Sequence, residues 1–157
     1  MAETSGESVR AGSERLAERV RDELAAAGLP VVAPGLSLEL SVGADVRVDM
    51  WNHRFHGEEP EVIVSWRVSP QLRSNAMEDA RQGRGMTPAI RQSGEVQIAM
   101  AAAVIAILSA AGFTARDHDN DMSPFGVQVL AGPGPGPRPG WAFPDEGLTP
   151  PGGCETG

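Results

Sequence analysis

The chain has 157 residues, 41% of them apolar, and its 21 acidic against 13 basic side chains leave a formal charge of −8. That is enough apolar material for one domain rather than two, and the acidic balance argues against a protein that holds nucleic acid or an anionic membrane with its whole surface. The one cysteine, Cys154, has no partner within the chain, which excludes an intrachain disulfide and any cysteine-built metal framework.

The apolar residues are unevenly spread. Leu, Ile, Val and Phe supply 31 of the 124 residues between Ser8 and Ala131 but only two of the last 26, where 15 are Gly or Pro. The expected organisation is a disordered N-terminus over 1–7, one domain over 8–131 and a disordered Gly/Pro-rich tail over 132–157, since such a tail cannot bury enough surface to offset the entropy of ordering it. Met1 to Val9 is polar and acidic, without the basic-then-apolar pattern of a secretion signal, so a cytoplasmic protein is expected.

The first helix is marked by Leu16, Val20, Leu24 and Ala27 at helical spacing, with Ser13 as its expected cap and Gly28 as its stop. From Leu36 to Val68 the period changes to two: Leu36, Leu38, Leu40 and Val42; then Val46, Val48 and Met50; then Val62, Val64, Trp66 and Val68. These runs read as a three-strand antiparallel meander with one face buried. Residues Asn52 to Pro60 are expected to be a connecting loop, with Trp51 on the face opposite Trp66. Gln71 to Arg81 suggests a short helix, after which Gly83, Gly85 and Pro88 point to a loop.

A second helix is expected from a cap at Ser93, and Ile98 to Ala111 is apolar except for Ser109. Those fourteen residues span only about 21 Å as helix, short of a bilayer core of about 30 Å, so the reading is a buried helix and not a membrane span. A helix apolar on nearly every side must be covered on nearly every side, so a partner subunit is expected to complete its cover. Phe113 to Arg116 and Phe125 to Leu130 then form a C-terminal hairpin. Ala25–Leu29 and Ser109–Phe113 are similar runs that close the two helices. The fold expected is α+β: an antiparallel sheet of about five strands, a meander plus a hairpin, against two main helices.

Three groups of residues point to function. His53 and His56 lie in one connection, and His118 lies beside Asp117, Asp119 and Asp121 in another, so two sheet-end loops could bring together a divalent-metal set of His53, His56, His118 and Asp119. The Asp117-x-Asp119-x-Asp121 spacing is not a calcium loop, because Met122 stands where that loop needs Gly; Asp and Asn are also ordinary hairpin-turn residues. Second, residues 67–91 carry five Arg against two acids, and Arg73, Arg81, Arg84 and Arg91 flank a Gly-rich loop suited to anion contact. Third, Trp51, Trp141 and Phe143 are aromatics outside the expected core and are candidate partner contacts.

With no nucleophile–base set or phosphate loop in the sequence, the expectation is a small, acidic, non-enzymatic binding or regulatory protein. It would act through protein–protein contact as an inhibitor, immunity or adaptor protein, as a homo-oligomer or within a complex, without cofactor, nucleic acid or membrane. The alternative is a metal- or small-molecule-binding protein or enzyme built on the His/Asp cluster, with Arg84 as an anion clamp.

Overall fold

The computed structural model describes residues 3–37, 39–118, 120–121, 124–135 and 139–142. Asp119, Phe143, Cys154 and Leu38 therefore lie outside the described residues. Helices α1 (Glu3–Ala26), α2 (Trp51–His56), α3 (Pro70–Arg81) and α4 (Pro88–Ala110) accompany strands β1 (Gly43–Asp49), β2 (Glu61–Arg67), β3 (Thr114–Asp117) and β4 (Val127–Ala131). The strands form one antiparallel sheet in the order β1-β2-β4-β3, so the α+β class holds with four strands instead of five.

Helix α1 begins at Glu3, which places residues 3–7 in helix instead of a disordered lead, and it runs through Ser13. Ser13 is thus no cap; its hydroxyl donates to the Pro60 carbonyl at 3.3 Å. The stop at Gly28 stands: φ is +86°, and the Leu29 and Gly28 amides close onto Leu24 and Ala25, a Schellman arrangement. Gly112, at φ +85°, ends α4 in the same way, with the Phe113 amide on Leu108.

The expected first strand is absent among the described residues. Leu36, Leu40 and Val42 are exposed in a turn-rich loop, because the outer edge of β1 is already engaged by Pro30–Val32. The Ala44 amide donates to Pro30 O at 2.8 Å and the Val32 amide to Ala44 O at 2.9 Å. Gly43 permits that approach: φ is +104°, and a Cβ there would lie 2.2 Å from the Pro30 carbonyl oxygen.

One sheet face forms the core. Val46, Val62, Val64, Val127 and Val129 meet Val20 and Leu24 of α1 and Val104 and Leu108 of α4. The opposite face is polar, although Ile63, opposite Arg47 and Gln128 in register, is fully buried there. Arg67 bridges Asp45 on this face at 2.9 Å.

Two loops became helices. Asp49 Oδ1 accepts the Trp51 amide at 2.8 Å and starts α2, and Gly57 ends it at φ +69°. Helix α4 starts at Pro88, not near Ser93. Thr87 caps it by accepting the Ile90 amide, and Pro88 occupies the first turn, where a missing N–H costs nothing. Ser69 and Pro70 start α3 in the same way.

This extension matters. At 23 residues, or about 34 Å, α4 is long and apolar enough by length and composition to cross a membrane, so the length argument against a span no longer applies. Nor do the described residues wrap the helix on all sides: Ala101, Val104 and Leu108 are its buried residues, while Ile98, Ala99, Ala102 and Ala106 are exposed.

Candidate functional site

The elements that carry α4 onto the sheet also leave part of it projecting. α1 and α4 pack on the strands, and α3 packs on α4. From Ser69 to Met100 no side chain is buried, yet this helical arm carries Leu72, Met77, Met86, Ile90, Val96 and Ile98. A groove of about 660 Å³ runs between α3 and the first half of α4, lined by Met77, Met86, Ile90, Ile98 and Phe125 with Arg73, Arg91 and Glu95 at its polar positions. Met77, Met86 and Ile98 are each more than half exposed. Phe125 sits at φ +78°, a left-handed conformation that costs a bulky L-residue about 1–3 kcal/mol, of the kind found where a side chain is held in place for a task.

Each of the four arginines has a partner within the molecule. Arg73 donates to the carbonyls of Ser41 (3.2 Å), Val68 (3.4 Å) and Glu39, fastening the root of α3 to the loop before β1. Arg81 pairs with Glu78 at 3.3 Å, Arg84 with Asp79 at 2.8 Å, and Arg91 stands 4.0 Å from Glu95. Asp79 also accepts the Thr87 hydroxyl at 2.6 Å. That hydrogen bond, helped by Arg84 and opposed by desolvation, holds its carboxyl below the usual aspartate range. Asp79 therefore ties the end of α3 to the cap of α4, and the local excess of Arg is spent on building the arm.

The histidines are separated. His53 Nδ1 lies 2.7 Å from the Glu58 carbonyl oxygen, and His56 is exposed at the end of α2. His118 is buried at a polar pocket of about 370 Å³, which Asn52 of α2 also lines together with Glu61, Arg116, Asp117, Asn120 and Gln128. The two loops thus meet, but through Asn52 and not through His53 or His56. Arg84 does not line this pocket. Among the described residues no three His, Cys, Asp or Glu side chains could hold a metal ion; Asp121 is exposed.

What the pocket does hold is a relay: Arg116 Nε donates to Gln128 Oε1 at 3.0 Å, Gln128 Nε2 to Glu61 Oε1 at 2.8 Å, and Glu61 Oε2 stands 3.4 Å from His118 Nε2. His118 Nδ1 is buried without a hydrogen-bond partner among the described residues. Glu61, Arg116 and Gln128 were not singled out from sequence. Their alternation matches any wet strand face, and only the register β2-β4-β3 sets them side by side.

The aromatic candidates divide. Trp51 stacks on Phe55 at 4.5 Å on exposed α2, a pairing of i and i+4 that a loop reading hides. Trp141 turns back on its own domain and donates from Nε1 to Glu23 at 2.7 Å. Nearby, Arg19 lies 5.7 Å over the Phe113 ring and donates to the Pro133 carbonyl at 3.0 Å. The described part of the tail therefore lines the cleft between α1 and the end of α4.

No family model, no curated protein and no solved structure matches this chain.

Proposed function

We propose that this chain is a small binding protein that works through protein–protein contact, of the inhibitor, immunity or adaptor kind, and that the α3–α4 arm is its contact surface. One observation carries the reading: α3, the first part of α4 and the turn between them bury no side chain from Ser69 to Met100, and they hold Met77, Met86 and Ile98 more than half exposed. Two helices covering only one another are marginal in water, because helix stability in proteins comes chiefly from packing an apolar face. The methionines suit such a surface, since their flexible thioether chains adapt to a partner.

Hydrogen exchange on the dilute protein tests this. Amides of α3 and of α4 before Ala101 are expected to exchange on the order of 100-fold faster than those of β2, and to slow when the arm is occupied. Equal protection of arm and sheet in the dilute protein refutes the proposal.

A second reading attaches to the polar pocket, because His118 Nδ1 is buried and unpaired among the described residues. There Glu61 would orient the ring and Nδ1 would meet a small hydrogen-bond donor. Titration with ammonium, followed by the ring signals of His118 in NMR, is expected to shift them; signals that stay in place end this reading.

A further inference from the structure

We infer that the arm is covered by a second copy of this chain, arm against arm about a two-fold axis; the inference rests on the reading of the arm as a contact surface. Charge is the first argument. Pro70–Ala110 carries Arg73, Arg81, Arg84 and Arg91 against Glu78, Asp79 and Glu95, a net of +1 in a chain of −8, so the rest of the molecule holds −9. Of the contacts two copies can make through like faces, one through the arms brings together the least net like charge, and a rim of Arg91 and Glu95 matches its own two-fold image better than it matches a partner of one sign.

Shape is the second argument. From Val96 to Ala110 helix α4 carries no charged side chain, and its exposed line passes from Ile98 to Ala102 and Ala106. In an antiparallel crossing of two copies near Met100, Ile98 of each stands opposite Ala102 of the other, so a bulky side chain meets a small one and the backbones can approach. Phe125, held at φ +78° in the same groove, adds an aromatic anchor on each side. The open face, taken as two helices of 23 and 12 residues each about 10 Å wide, covers on the order of 500 Å² in projection. A standard interface buries about 800 Å² per partner, so the expected contact is at the small end of specific interfaces.

Light scattering and sedimentation of the full chain from about 1 to about 100 micromolar are expected to show a mass rising from one copy to two. Ala102→Glu, at an exposed position, is expected to weaken association by at least about tenfold, which is about 1.4 kcal/mol, with the melting temperature of the monomer unchanged. Ala102→Lys should do the same, and mixing the two variants should restore a dimer, a rescue that only copy-to-copy contact near the axis explains. A chain that stays monomeric throughout, or that floats with phosphatidylcholine vesicles as a monomer, overturns the inference. Hydrogen exchange on that monomer then separates the two ideas. A rapidly exchanging arm removes only the second copy as occupant, whereas a protected arm removes the contact-surface reading with it.

Discussion

Between Ala101 and Leu108 helix α4 buries three side chains in the core, whereas from Pro88 to Met100 the same helix, with α3 alongside, buries none. The two stretches differ in composition, residues 101–108 being wholly apolar and residues 88–100 mixing six apolar residues with Arg91, Glu95 and other polar ones, and they are held by different forces. The later one is fixed by long-range packing with Val20, Leu24 and the valines of β2 and β4. The earlier one is fixed locally, by the Ser69–Pro70 and Thr87–Pro88 starts and the Asp79 contacts to Thr87 and Arg84 that join its two helices. The core takes up the wholly apolar stretch, and in the other half of α4 the described residues leave Ile98 and Ala99 uncovered.

The sharpest way to break this comparison is a pair of truncations. Leu108→Ala is expected to destabilise the fold by about 3 kcal/mol through lost burial and a cavity, while Ile98→Ala should stay within about 0.5 kcal/mol in the monomer; denaturant unfolding measures both. Similar losses at the two positions would mean that the halves are not distinct.

A smaller, pH-dependent effect is expected at the arm's tip. Because Asp79 titrates lower in the folded protein than in the unfolded chain, its contribution is complete above the ordinary aspartate range and is lost as pH falls through its lowered folded value. Protection of the amides at Gln82–Thr87, taken relative to their free-chain exchange rate at each pH, should fall over that window, and Asp79→Asn should abolish that pH dependence; constant protection in the parent chain would show that the Thr87 and Arg84 contacts do not hold the turn.

Several features of the site could be read in the sequence only in part. The spacing of Arg73, Arg81, Arg84 and Arg91 showed a local excess of positive charge, but not that each would find a carbonyl or an acid within reach. His118 stood out by type, while its partner Glu61 lies 57 positions away and is brought to it by register across β4. A helix start at Ser93 leaves out Ile90, and with it the groove, because a proline breaks a helix interior but fits the first turn, the place that Pro88 takes after the Thr87 cap.

Local chemistry determined what local chemistry can: the helix ends at Gly28 and Gly112, the valine alternation of β1 and β2, the C-terminal hairpin and the α+β class all follow from side-chain period and backbone preference within a few residues. Tertiary structure decided the rest. Whether Leu36–Val42 becomes a strand depends on an edge that Pro30–Val32 already occupies, whether Trp141 leaves the domain depends on Glu23, and which half of α4 is core depends on where the sheet ends. Each of these is a contact between residues far apart in the chain, and a pattern of period two or 3.6 carries no record of what will lie across from it.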